Sequence, residues 1–317
     1  MRPVDAVRLL SLGAIWGSSY VLIKYGLEAY SPMQMIAARI IVAAIVLVAM
    51  VYARGQRLPA GGDLWRALVV MAVVANIIPF FLITWGEQYI AASLTSILNS
   101  TTPLFTAIFA AIALRGSEPF PPVRIAGIIL GFGGVAVLTG HVTGGGVIGT
   151  IAVVVASASY GVGFVYAKLH VTGVSSPMQT SAAQFLISSA ICLPLLAVDG
   201  AANGAPDVSN LRATFLVLVL GVLNTAFAYL FYYRLIADVG STTASFVTYL
   251  IPIFGVFLGW LLLNERLGWN SFAGAAMVIA GIAVAEMAVR RVSPRAEPTP
   301  PPEAAAARDT TAAREAR

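Results

Sequence analysis

Asn76 and Asn224 each stand about twelve residues into a long apolar stretch, at matching depth. A carboxamide in that setting can hold a polar solute, or it can hydrogen-bond a neighbouring helix for about 1 kcal/mol; the sequence leaves both readings open. Two hydroxyl-rich stretches supply a second set of polar groups. Thr95 to Pro103 contains Asn99, Ser100, Thr101 and Thr102, and Ser245 to Pro252 contains Thr248 and Tyr249. A proline inside a helix removes one backbone hydrogen bond and frees a carbonyl about one turn back. In hydrocarbon a hydroxyl, a cavity water or a ligand must then satisfy that carbonyl, so Pro103 and Pro252 are candidate hinges as well as ordinary kinks.

Several aromatic residues lie too deep for an interfacial belt. Trp16 and Tyr160 are the strongest candidates, because each stands beside a glycine (Gly17, Gly161) among small residues that permit close helix approach or leave open volume. With Tyr20, the candidate binding set is Trp16, Tyr20, Asn76, Asn99, Thr102, Tyr160, Asn224, Thr248 and Tyr249. Charged residues gather near the ends of the apolar stretches, with Lys24, Glu28, Arg39 and Glu87 toward one side and Lys168, Arg234 and Asp238 toward the other. They read as two opposite gates, or as long side chains snorkelling to the interface. Lys24, Arg39 and Lys168 are placed too near the surfaces to serve a midplane cavity. Glu87 is the best single candidate for proton linkage, a structural ion pair being the other reading.

The chemistry these residues exclude is equally informative. A membrane-embedded hydrolase needs a nucleophile with its base, paired aspartates or a metal cluster, and the cores of the apolar stretches hold neither His nor Asp. His141 and His170 fall in loops on opposite sides, which rules out a shared metal, and the lone Cys192 reads as a packing residue. No catalytic residue, metal or cofactor is expected. Glu118 and Glu265 precede apolar stretches, where a carboxylate is favoured by the positive end of the following helix.

The elements that position these residues follow from composition. The 317-residue chain is 59% hydrophobic and 10% charged, far too apolar for a soluble surface. Crossing roughly 30 Å of hydrocarbon takes about 20 apolar residues in a helix. Ten such runs are present, at about 7–25, 33–53, 64–85, 93–114, 122–140, 146–168, 178–198, 212–235, 242–263 and 269–289. The expected fold is an all-α integral membrane protein of ten transmembrane helices.

Those ten helices divide into two copies of five. Ser31-Pro32-Met33-Gln34 recurs as Ser176-Pro177-Met178-Gln179, Trp16-Gly17 is answered by Tyr160-Gly161, and Pro103-Leu104-Phe105 by Pro252-Ile253-Phe254. Gly127 with Gly134 returns as Gly274 with Gly281. Echoes in constant order indicate internal duplication, with repeats at residues 1–143 and 144–292. An odd number of spans per copy inverts the second relative to the first. Lys and Arg near the helix ends cluster on one side, which places both termini in the cytoplasm by the positive-inside rule. Pro298, Pro300, Pro301 and Pro302 open an Ala, Glu and Arg mixture, so residues 293–317 are expected to form a disordered cytoplasmic tail. The net charge of +5 belongs to the inside loops and not to nucleic-acid binding.

Over residues 7–289 the chain resembles the drug/metabolite transporter superfamily, in its ten-helix form with two EamA-type repeats. The residues that carry the resemblance are Trp16-Gly17, Ser31-Pro32 with Ala38-Arg39, Trp85-Gly86-Glu87-Gln88-Tyr89 leading into Ala91-Ala92-Ser93, Pro103-Leu104-Phe105, and Asn264-Glu265-Arg266-Leu267 with Gly274 and Gly281. In the second copy Gln184 stands where the first has Arg39, and Tyr160 where it has Trp16. The resemblance implies export or exchange of small polar metabolites, often amino acids, through a cavity between the halves, in a bacterial inner membrane. The expected partners are a small-molecule substrate and the lipid bilayer, and no oligomeric state is signalled. A channel or a non-transporting scaffold is the alternative, an intramembrane enzyme the least supported.

Overall fold

The computed structural model describes residues 3–113, 121–140, 144–239 and 247–292; Glu118, His141 and the tail lie outside them. All regular secondary structure among the described residues is helical. The first half of the chain forms α1 (Pro3–Gly26), α2 (Pro32–Ala53), α3 (Gly62–Gly86), α4 (Ala92–Ala113) and α5 (Pro122–Thr139). The second half forms α6 (Gly145–His170), α7 (Pro177–Asn203), α8 (Leu211–Gly221 continuing through Val222–Phe227 and Ala228–Val239), α9 (Val247–Leu263) and α10 (Trp269–Val292). Eight of these are long and apolar enough to cross a membrane, with α9 and α10 contributing shorter apolar stretches. The protein is a multi-pass membrane protein.

The repeated tetrapeptide is a helix start. Ser31 caps α2 by accepting the Gln34 N–H at 3.2 Å while the Gln34 side chain accepts the Ser31 N–H at 3.0 Å. Ser176 and Gln179 make the same reciprocal box at the start of α7. Proline at the first helical position gives up an N–H that would be unpaired in any case.

Two helices depart from regular geometry. α3 and α8 each contain a six-residue π-helical turn, Ala72–Ile77 and Val222–Phe227, and each turn contains the asparagine that the sequence places at mid-depth. α4 is interrupted at Ser100 and Thr101, between Ala92–Asn99 and Thr102–Ala113, where the sequence alone suggests one continuous span.

The echoed motifs meet crosswise. α1 packs on α9 and α6 packs on α4, while α2 lies against α7 and α5 against α10. At the first contact a Cβ on Gly17 would stand 2.6 Å from the Cβ of Phe254; at its counterpart a Cβ on Gly161 would stand 2.9 Å from that of Phe105. Thus Gly17 of α1 meets Phe254 of α9, and Gly161 of α6 meets Phe105 of α4. Between α5 and α10, a Cβ on Gly127 would lie 2.7 Å from the Gly281 carbonyl oxygen, and one on Gly134 2.7 Å from that of Gly274. Small residues on both faces let the backbones touch, which is how helices associate when lipid offers no hydrophobic gain.

Candidate functional site

A cavity of about 170 Å³ opens between α1, α2, α3, α4, α6, α8 and α9. Six of these helices carry the candidate binding residues named from the sequence, and α2 enters through Arg39. α1 contributes Trp16, Ser19 and Tyr20, and the break in α4 contributes Asn99, Ser100, Thr102 and Pro103. Phe80, Tyr160, Tyr229 and Thr248 close the remaining sides.

The α4 break is stabilised by its own hydroxyls. Ser100 donates to the Ile97 carbonyl at 2.6 Å, Thr101 to Leu98 at 2.7 Å and Thr102 to Asn99 at 2.8 Å. Side chains that look available for a solute are thus partly engaged in satisfying backbone carbonyls. Asn99 is held by two neighbours, donating to the Tyr20 hydroxyl at 2.9 Å and accepting from Ser157 at 3.4 Å. The aromatic wall is packed edge to face. Trp16 meets Tyr229 at 6.3 Å and 77°, and Phe80 meets Tyr160 at 6.5 Å and 66°, arrangements that fix the rings.

Arg39, which charge patterning groups with Lys24, Glu28 and Glu87 near the end of a span, joins this wall from α2. It is 8% exposed, its Nε donates to the Thr225 hydroxyl at 2.8 Å, and its guanidinium carbon lies 3.9 Å from the centre of the Phe80 ring. The signal was present in the sequence. Arg39 follows Pro32, at the start of α2, by seven residues, which at the helical rise is roughly 10 Å of depth; a cation that far into a span faces protein or a cavity.

Three of the expected binding residues lie off the cavity wall. Asn76 is fully buried; its amide donates to Ser188 at 2.9 Å and accepts from Gln184 at 2.9 Å, both on α7. Asn224 donates to the Ile15 carbonyl and to the Ser18 and Ser19 hydroxyls of α1. Tyr249 packs with the apolar cluster shared by α4, α5 and α10. Depth in the sequence says nothing of direction, and a π turn adds one residue to a helical turn and so rotates every face beyond it. Pro103 borders the cavity, whereas Pro252 lines a separate cleft with Trp260 and Phe272.

At one end of α3, the Lys24 ammonium donates to the Glu87 backbone carbonyl. The Glu87 carboxylate is fully buried, and neither oxygen has a hydrogen-bond partner among the described residues. Lys168 and Arg234 are exposed, and the Asp238 side chain lies outside the described residues.

This placement separates two roles by experiment. Asn76→Ala is expected to lower stability by about 1 kcal/mol, the worth of an interhelical hydrogen bond in a membrane, and to leave the transport KM unchanged. Tyr160→Ala, which removes a cavity wall, is expected to raise KM. A tenfold rise in KM for Asn76→Ala without loss of thermal stability in detergent would instead place its amide in the solute path.

Comparison with known proteins agrees with this architecture. The chain matches the EamA-like transporter family over residues 6–140 and again over 147–287. It is 22% identical over 278 residues to the transporter YoaV of Bacillus subtilis, covering 86% of this chain and 94% of that protein. It is 27% identical over 261 residues to the inner membrane transporter YedA of Escherichia coli, covering 82% and 83%. A WAT1-related chloroplastic protein of Arabidopsis thaliana is 28% identical over 287 residues, covering 86% of this chain and 67% of the plant protein. A solved crystal structure superposes with a TM-score of 0.64 at 18% identity, over 92% of this chain and all of that one, which bears on the fold alone.

Proposed function

The chain belongs to the EamA-like transporter family, and from that premise we propose that it carries a small organic solute across a bacterial inner membrane by alternating access, in the direction of export. The observation that carries this reading is the cavity itself. Its wall is drawn from both repeats and combines rings with a few polar groups, as small-molecule sites do. The crosswise contacts of Gly17 with Phe254 and Gly161 with Phe105 support two five-helix units, residues 1–143 and 144–292, lying in opposite orientations about the cavity with both termini cytoplasmic. Rocking of one unit against the other, with Pro103 and Pro252 as hinges, would expose the cavity to each side in turn. Lys24 with Glu87, and Lys168 with Arg234 and Asp238, form the two gates. The partners are the solute and the bilayer.

Thr102→Trp tests the reading, because an indole at that wall position fills a cavity of about 170 Å³. Proteoliposomes containing the wild-type protein are expected to accumulate labelled solute by counterflow, and the variant to show none while remaining monodisperse. Counterflow is expected of a carrier and not of a channel. Undiminished flux through Thr102→Trp would remove the cavity from the path.

A further inference from the structure

We infer that Arg39 makes the cavity a carboxylate site, and that the solute is an organic monoanion with a compact apolar body. The inference rests on the cavity being the solute site. A guanidinium keeps its charge and presents five N–H donors in a planar fork. One donor is taken, from Nε to the Thr225 hydroxyl at 2.8 Å, and the Phe80 ring at 3.9 Å holds one face. Among the described residues nothing accepts from the four remaining donors, and no carboxylate pairs with the charge. Arg39 is 8% exposed and lines the cavity. Glu87, the buried carboxylate that acts on this charge through space, makes no ion pair with it; a cation removed from water with one acceptor and no bonded counter-ion leaves a strong demand unfilled, and a carboxylate bound through both oxygens meets the charge and two donors together.

The second repeat supplies an internal control. Gln184 occupies the position equivalent to Arg39, and its Nε2 donates to Asn76 Oδ1 at 2.9 Å. Each side chain reaches the π turn of the other repeat, Arg39 through Thr225 and Gln184 through Asn76. A neutral amide therefore suffices for this helix contact, and the positive charge of Arg39 answers to something else. The rest of the wall describes the body of the solute. Trp16, Tyr20, Phe80, Tyr160 and Tyr229 offer rings, and the wall contains no Asp or Glu to receive an ammonium. A single cation also matches one negative charge better than the two of a phosphate monoester.

The test compares isosteres of different charge on the purified full-length protein. Equilibrium dialysis with labelled phenylacetate, competed by phenylacetamide, phenylalanine and phenethylamine, is expected to show phenylacetate binding at least tenfold more tightly than the neutral amide or the amine. Phenylalanine is expected to fall between them. Arg39→Gln should abolish the preference for the carboxylate, and Arg39→Lys should keep part of it. The wild-type comparison stands alone should Arg39→Gln fail to fold. Equal or tighter binding of the amide, the amine or phenylalanine, or no saturable binding of phenylacetate, overturns the inference. If the amide or the amine binds and Thr102→Trp abolishes that binding, the cavity survives as the solute site while the anion assignment fails. Phenylacetate binding indifferent to Thr102→Trp defeats both.

Discussion

Glu265→Ala is expected to destabilise the protein by about 2 to 4 kcal/mol, the cost of leaving two buried N–H groups without a charged acceptor. The Glu265 carboxylate accepts from the Ala92 N–H at 2.8 Å and the Ser93 N–H at 2.9 Å, and it also receives the Ser93 hydroxyl. These are the orphan donors at the start of α4. The N-cap residue there is Ala91, whose side chain can accept nothing. Ala92 is wholly buried and Ser93 is 1% exposed, so water does not take over when the carboxylate is removed. Asn264, with φ at +53°, turns the chain just before the glutamate. Glu265→Gln keeps one acceptor oxygen without the charge and is expected to lose less. Thermal unfolding in detergent reads the total, and amide exchange at Ala92 and Ser93 reads the local effect; unchanged protection at those two amides would refute the capping role.

Gly17→Leu is expected to abolish transport and to cost about 3 kcal/mol or more, the upper range for forcing volume into a packed site. Even a Cβ there would lie 2.6 Å from the Phe254 Cβ and 3.0 Å from the Ile251 carbonyl oxygen. Neither neighbour yields easily, since one atom is backbone and the other sits next to it, so α1 and α9 must part. Trp16 precedes Gly17 and Ile251 also lines the cavity, so the displacement reaches the site directly. Gly62→Ala, where a Cβ meets nothing within 4 Å, serves as the control and is expected to leave both stability and flux within error. Wild-type melting behaviour of Gly17→Leu would mean that α1 and α9 do not touch as described.

Much of the fold was legible because lipid imposes a simple rule on sequence. The apolar runs at about 33–53 and 146–168 appear as Pro32–Ala53 and Gly145–His170, and Ser-Pro-Met-Gln marks a capped helix start wherever it occurs. The site was legible in part. Trp16, Tyr20, Asn99, Thr102, Tyr160 and Thr248 do border the cavity, because rings and hydroxyls near small residues and prolines mark helices that do not simply face lipid. Glu265 was correctly assigned to a helix N-terminus, yet the helix is α4 and not the one that follows it in the chain. Nothing local in Asn264-Glu265-Arg266-Leu267 records which end lies beside it.

By itself the sequence determined the all-helical membrane class, most of the apolar helices and the family, since these depend only on what each residue type tolerates next to hydrocarbon and on order along the chain. Only the tertiary structure decided direction. It turned Asn76 and Asn224 into contacts between helices, Arg39 into a cavity residue and Glu265 into a cap for a distant helix. The physical reason is that a side chain's surroundings in a helical bundle are set by the rotation of its helix and by which neighbour packs there. Both are fixed by close contacts such as Gly17 with Phe254, which join residues far apart in sequence, and by the local π turns of α3 and α8, which shift the faces of their helices; neither leaves a periodic trace in the sequence.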